Sequence, residues 1–244
     1  MPWTALSAQA RGHPIPAGSK RPDLNADLTL KLRRGCDALG LALADRQYAL
    51  LLDYLSLLAR WNRAYNLTAV REPEQMVTRH LLDSLAVANH VQGLRAVDVG
   101  TGAGLPGIPL AIALPEQEFH LLDSNGKKTR FLFQVKTALG LDNMTVHHAR
   151  VESFHPEKPF DAVLSRAFAS LGDMVAACRH LLSVEGRFLA MKGAYPEKEL
   201  ADVEPICVIR AIYPLTVPGL QEQRHLVEMA IRGEPTRQPT VPGT

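Results

Sequence analysis

From Val97 to Gly107 the chain reads Val-Asp-Val-Gly-Thr-Gly-Ala-Gly-Leu-Pro-Gly, an apolar run that opens into glycines and then a helical pattern. Glycines let a backbone turn tightly and approach a ligand with no Cβ in the way. Gly102, Gly104 and Gly107 fit G-x-G-x-x-G, a spacing that a merely tight strand-to-helix turn also produces. Roughly twenty residues on, Leu121-Leu122-Asp123 ends the next apolar run and puts a carboxylate where it can accept hydrogen bonds from both hydroxyls of a ribose. Together these residues predict a nucleoside-bearing cofactor held against Gly102 and Asp123.

Nicotinamide dinucleotides and S-adenosyl-L-methionine both satisfy that geometry. Asp98 stands two residues before the loop, where a carboxylate gains nothing beside a pyrophosphate but is compatible with a sulfonium and an ammonium group. Too few residues follow the fifth apolar run for a separate dehydrogenase substrate domain, and no His or Lys stands out as a hydride-transfer acid. These features favour the methyl donor. A nicotinamide-linked oxidoreductase, and a non-enzymatic RNA-binding module on the same fold, remain as alternatives.

Other residues carry chemistry with a competing structural explanation. Asn66 and Thr68, in Asn-Leu-Thr, could line an acceptor pocket or form an Asx-turn that ends a helix. Lys192 follows the fifth apolar run, on the ligand side by topology. Lys127, Lys128, Arg130 and Lys136 form an acid-free helical stretch that suits a polyanion, although a solvated face is the commoner fate. His80 and Asp83, a helical turn apart, suit packing more than catalysis. His147 and His148 lack a third ligand at metal spacing, and Cys36, Cys178 and Cys207 lie far apart without C-x-x-C, so no metal site or disulfide framework is expected.

Positioning these groups requires a scaffold with two textures. Apolar residues recur at three and four over Leu24–Leu39, with Gly40 as a left-handed stop, and again over Asp45–Asn62, where Asp45 is the expected cap. Pro73 opens a third helix, to about Ala88. After Gly93, short runs at Leu94–Val99, Phe119–Leu122, Met144–Val146, Phe160–Leu164 and Gly186–Met191 alternate with helical patterns, which predicts a parallel sheet with crossover helices. Val203–Tyr213 and His225–Ile231 predict an antiparallel hairpin at the sheet edge.

The 244 residues, 46% hydrophobic and 21% charged, describe a globular chain able to bury its own core. Net charge is only +2, but residues 1–34 hold six basic side chains against Asp23 and Asp27, a distribution that suits nucleic acid as well as a solvated face. No secretory h-region or membrane-length apolar stretch is present, so a cytoplasmic protein is expected. The expected organisation is a disordered tail at 1–22, a helical cap at 23–90, a sheet domain at 91–232 and a second disordered tail at 233–244.

The run from Asp98 to Pro109 is followed by Leu122-Asp-Ser-Asn-Gly-Lys-Lys128, Ser165-Arg-Ala-Phe-Ala169 and Met191-Lys-Gly193. With Trp61-Asn-Arg-Ala-Tyr-Asn-Leu-Thr68 and His80-Leu-Leu-Asp-Ser-Leu85 upstream, it resembles the bacterial 16S ribosomal RNA guanine-N7 methyltransferases, historically called glucose-inhibited division protein B, over about residues 40–230. The resemblance implies an α/β, Rossmann-like class I methyltransferase with a mostly parallel seven-stranded sheet, a C-terminal antiparallel hairpin and an N-terminal helical cap. It implies S-adenosyl-L-methionine as donor and one guanine of 16S ribosomal RNA, in a small-subunit particle, as acceptor. Carried over by position, the family's cofactor contacts fall on Gly100, Leu105, Val151, Glu152 and Arg166; the terminal segments match nothing in the family. Guanine N7 has a free lone pair and no proton, so no general base is expected, and Arg166 suits cofactor, phosphate or guanine O6 better than the N7 face. A monomer without bound metal completes the expectation.

Overall fold

The computed structural model describes residues 22–232; the expected tails lie outside them, except that Pro22 already belongs to the first helix. Five strands, β1 (Arg95–Val99), β2 (Glu118–Asp123), β3 (Met144–His148), β4 (Phe160–Ser165) and β5 (Leu182–Lys192), run parallel, and β6 (Cys207–Pro214) and β7 (His225–Ile231) complete one seven-stranded sheet. The order is β3-β2-β1-β4-β5-β7-β6, with β7 antiparallel to both β5 and β6. The order reverses beside β1, so the loops leaving β1 and β4 open a crevice at the carboxyl ends of the strands, where ligands bind in such sheets.

The cap comprises α1 (Pro22–Ala38), α2 (Asp45–Tyr65), α3 (Pro73–Met76) and α4 (Asp83–Leu85), the last two joined through a π-helical stretch, Val77–Leu82. Gly40 ends α1 as expected, at φ +69°, while the Leu41 amide bonds back to the Cys36 carbonyl at 2.9 Å. The expected cap of α2 is wrong by one residue. Ala44 occupies the cap position, its amide donating to Gln47 Oε1 at 2.8 Å, and the Asp45 carboxylate instead pairs with Arg33 at 2.6 Å. Gln47 also donates to the carbonyls of Ile112 and Ala113, satisfying the end of α5 (Gly107–Ala113) and fixing the cap to the sheet.

The sheet is buried on both faces, so its strands read as continuous apolar runs rather than alternating ones. On one face Leu32, Leu51, Leu58, Leu81 and Leu85 of the cap share a core with Phe119, Leu121 and Leu164 and with α6 (Gly126–Leu139) through Phe131. On the other, Val97, Val163 and Phe188 pack against α7 (Leu171–Cys178) and α8 (Glu197–Val203). Two expected strand boundaries need correction. Val203, read as the start of a strand, is the buried last residue of α8, because an apolar helix face and a strand look alike over so few residues. β5 starts at Leu182, not Gly186, because the register shifts between Phe160 and Ala162 and the chain bulges there; a Cβ on Gly186 would lie 2.8 Å from the Phe160 carbonyl.

Candidate active site

The glycine loop is held from both sides. Behind β1, the amides of Gly100 and Thr101 both donate to the Leu122 carbonyl, at 2.9 and 3.2 Å. Gly100 sits at φ +69°, and a Cβ there would fall 2.8 Å from Ala167 Cβ, so only glycine leaves the gap between this loop and the exit of β4 open. From the cap, the buried Tyr54 hydroxyl donates to the Ala103 carbonyl at 2.8 Å; burial drives its phenol pKa upward, so it remains a neutral donor.

Asp98 lies beneath the loop. Its Oδ2 accepts from the Thr101 hydroxyl at 2.6 Å and the Gly107 amide at 2.8 Å, while Oδ1 is buried with no partner among the described residues. Burial raises its pKa to about 6, against the lowering influence of those two hydrogen bonds. Asp123 closes the other end. Its Oδ2 accepts from the Gly102 amide at 2.9 Å, its Oδ1 from the Asn125 amide at 2.8 Å, and Lys128 Nζ lies 3.6 Å away. A carboxylate oxygen has two lone pairs, so each retains acceptor capacity for a ribose hydroxyl.

Three adjoining clefts follow from these contacts. The first, about 310 Å³, is lined by Gly100, Asp123, Lys128, Val151, Glu152 and Phe168, from the loops after β1, β2, β3 and β4. The second, about 210 Å³, shares Gly100 and adds Thr68, His80, Gly102, Leu105 and Arg166. The third, about 350 Å³, shares Arg166 and adds Asp83, Met191, Lys192, Gly193 and Arg224. Gly100 and Ala167 therefore join the first cleft to the second, and Arg166 joins the second to the third. Every residue expected to contact the cofactor, namely Gly100, Gly102, Leu105, Asp123, Val151, Glu152 and Arg166, lines the first or second.

The expected acceptor residues divide. Thr68 lines the second cleft, with its Oγ1 2.9 Å from His80 Nε2 and its amide donating to Asn62 Oδ1 at 2.9 Å. Asn66 does not line these clefts: it is the left-handed C-cap of α2, at φ 49°, and its Oδ1 faces Arg71 at 3.4 Å. Lys192 lines the third cleft but is no free cation. Its Nζ lies 2.7 Å from Glu199 Oε2 and donates to the Ala169 carbonyl at 3.1 Å, tying down the loop after β4. Of His80 and Asp83, only Asp83 ties the cap to the sheet, through Arg166 and Arg224, whereas the hydrogen bond of His80 stays within the cap. His80 is buried against Thr68, and burial lowers its pKa, favouring the neutral ring. His147 stacks on His120 with Nε2 2.8 Å from His120 Nδ1, inside a partly buried aromatic cluster with Phe154 and Phe160.

Sequence reasoning missed the ion cluster around Asp83. This buried carboxylate accepts from Arg166 Nη1 at 3.0 Å and Arg224 Nε at 2.9 Å, joining α4 to the loops after β4 and before β7. No spacing rule could have found it, since the three residues are far apart in the chain and Arg224 belongs to no motif. Tyr54 was not singled out on α2. Ser165, whose hydroxyl donates to the Val99 carbonyl at 2.8 Å and accepts from the Ala167 amide at 3.0 Å, bridges the two loops and was likewise missed as a contributor.

Comparison with known proteins agrees with this arrangement. The family described as "GidB: rRNA small subunit methyltransferase G" matches residues 47–227. Proteins named ribosomal RNA small subunit methyltransferase G are 50% identical over 204 residues in Saccharophagus degradans and 56% identical over 199 residues in Pseudomonas aeruginosa strain LESB58. The alignments cover 84% and 81% of this chain, and 92% of each relative. Among solved structures, the glycopeptide N-methyltransferase MtfA complexed with S-adenosyl-L-methionine superposes with a TM-score of 0.53 at 13% identity, over 63% of this chain and 88% of that one. That likeness shows a shared Rossmann-like methyltransferase fold. The sheet order, the cleft at its switch point and the match over most of the chain lead to one assignment: the protein belongs to the rRNA small subunit methyltransferase G family.

Proposed function

We propose that this protein transfers the methyl group of S-adenosyl-L-methionine to N7 of one guanine in 16S ribosomal RNA. The observation that carries this reading is the pair of clefts meeting at Gly100, one with a ribose-compatible carboxylate and one large enough for a purine. The residues present fit the cofactor: Asp123 retains acceptor capacity and the gap a Cβ on Gly100 would fill is open. Asp123 would hold the ribose, Glu152 and Val151 the adenine, and Gly100, Gly102 and Leu105 the amino-acid portion, above the carboxylate of Asp98. When bound, S-adenosyl-L-methionine supplies an electrophilic methyl group on a positively charged sulfur.

The chain's own work is positioning. Tyr54, Ser165 and Asp98 fix the loop from three directions, so the walls of both clefts are set before ligands arrive. Guanine N7 has no proton to lose, so no side chain is assigned as general base, and the neutral His80 at the cleft wall acts through shape and through Thr68. The purine gains positive charge as its N7 is alkylated, and a free guanidinium against that atom would oppose the change. Asp83 anchors Arg166 and offsets its charge, leaving its remaining N–H groups for guanine O6 or a phosphate. Thr68 serves the acceptor side directly. Asn66 shapes the loop leading to it, and Lys192 holds the loop after β4.

We assign a cytoplasmic monomer, acting on RNA within a small-subunit particle, with the cap over about residues 23–90 and the catalytic sheet over 91–232. No described helix is long and apolar enough to cross a membrane. Calorimetric titration tests the donor assignment. S-adenosyl-L-methionine should bind with one site per chain and Asp123→Ala should weaken it, whereas binding of NAD in its place would overturn the reading.

A further inference from the structure

The carboxyl end of α2 carries an aromatic surface outside the clefts. Tyr65 is 46% exposed, and its ring stacks on Trp61 with centroids 5.1 Å apart and planes 30° apart. Trp61 packs in turn on the buried Phe131 of α6, at 5.6 Å, and Phe131 on Tyr54, at 6.4 Å. The series ends at the Ala103 carbonyl of the glycine loop, which the Tyr54 hydroxyl holds. A solvent-facing ring is thus backed by rigid packing that reaches into the cofactor loop. Tyr65 also directly precedes the stretch containing Leu67 and Thr68, which line the second cleft.

The chain segments on either side of this packing are basic. Residues 54–71 contain Arg60, Arg63 and Arg71 with no Asp or Glu, and residues 124–139 of the neighbouring α6 segment contain Lys127, Lys128, Arg130 and Lys136 with none. Arg63, Lys127 and Arg130 are exposed, and none of them forms an ion pair among the described residues. An exposed, pre-stacked aromatic ring on a helix whose neighbour α6 carries exposed, unpaired cations has the chemistry of a single-stranded nucleic-acid platform, where the ring meets a base face and the cations meet phosphates. A protein partner would need acidic side chains together with an apolar anchor. A strand of unpaired nucleotides supplies the charge and the π-face at every residue.

We propose that Tyr65, stacked on Trp61, is a base-stacking platform for an unpaired nucleotide of the RNA substrate flanking the one that enters the second cleft, with Arg130 of the neighbouring α6 contacting its backbone. This rests on the RNA-methyltransferase reading above and adds a surface and a mode of recognition to it. The test compares the unaltered full chain with Tyr65→Ala, which removes the ring and its stack on Trp61, and Tyr65→Phe, which keeps that stack, with urea unfolding to confirm that both variants are folded. The first readout is binding of a fluorescein-labelled 12-nucleotide oligoadenylate. The second is KM and kcat for methyl transfer to small ribosomal subunits, and the third is S-adenosyl-L-methionine affinity.

Loss of one base–aromatic stack should weaken oligoadenylate binding by about 5- to 150-fold in Tyr65→Ala and raise KM in the same direction, while Tyr65→Phe stays within about twofold. Donor affinity should be unchanged in both. Oligoadenylate binding that is absent in the unaltered protein or unchanged in Tyr65→Ala would overturn the proposal. So would a rise in KM for subunits without a change in oligoadenylate binding, which would place a ribosomal protein on this surface. Tyr65-dependent oligoadenylate binding in a protein that transfers no methyl group would support the platform and reject the enzymatic reading instead.

Discussion

Asp98 provides a quantitative test of how the glycine loop is built. Its carboxylate is buried, with one oxygen doubly hydrogen-bonded and the other unpartnered among the described residues, and its pKa rises from 3.8 to about 6. Because the folded value lies above the unfolded one, the folded state holds this proton more tightly. The stability from this group is fully present below pH 3.8 and is lost as pH rises through about 6. Linkage over that shift gives about 2 kcal/mol more stability at pH 4.5 than at pH 7 from this residue alone. Asp98→Asn keeps an acceptor for Thr101 and Gly107 but does not titrate. Urea unfolding of both proteins at pH 4.5, 5.5 and 7 isolates the effect, since other titrating groups cancel in the difference. The stability of Asp98→Asn relative to the parent should increase by about 2 kcal/mol between pH 4.5 and 7. A difference that stays flat over this range would refute the claim that an ionised carboxylate is desolvated beneath the loop.

Gly100→Ala should cost about 1–2 kcal/mol of stability from the left-handed backbone alone, seen in urea unfolding. Because its Cβ would also press on Ala167, calorimetry should show weakened S-adenosyl-L-methionine binding as well. Tyr54→Phe leaves the Ala103 carbonyl without its buried donor, and the same unfolding assay should register a loss of about 1–3 kcal/mol. Asp83→Asn removes the charge that joins Arg166 to Arg224. The loss should be about 2 kcal/mol, below that of a fully buried pair because the two arginine side chains are 28% and 23% exposed, and the KM for small subunits should rise while donor affinity holds.

How far the sequence could be read depended on whether a feature is local. The glycines, Asp123 and Pro73 announce themselves because a backbone conformation, a strand end or a first helical turn restricts which residue fits, and each occupies the expected element. The five parallel strands were legible because both faces of the sheet are buried, which leaves unbroken apolar runs. Boundaries failed where two explanations share a pattern, as at Val203, or where a tertiary partner intervened, as at Asp45, which Arg33 engages from α1. Asn66 could be read as an acceptor residue or as the end of a helix, and its left-handed backbone makes it the helix end. The Asp83 cluster and the hold of Glu199 on Lys192 depend on residues brought together only by the finished fold.

The central claim, that the cleft at the switch point delivers a methyl group to guanine N7, is tested most directly by transfer from radiolabelled S-adenosyl-L-methionine to small ribosomal subunits. The subunits should come from a strain lacking this protein, and the labelled nucleoside should then be identified and mapped. The account predicts label in 7-methylguanosine at a single 16S position, with Asp123→Ala sharply reduced at limiting donor. Label at another atom or base, or intact donor binding with no transfer to subunits, would contradict it.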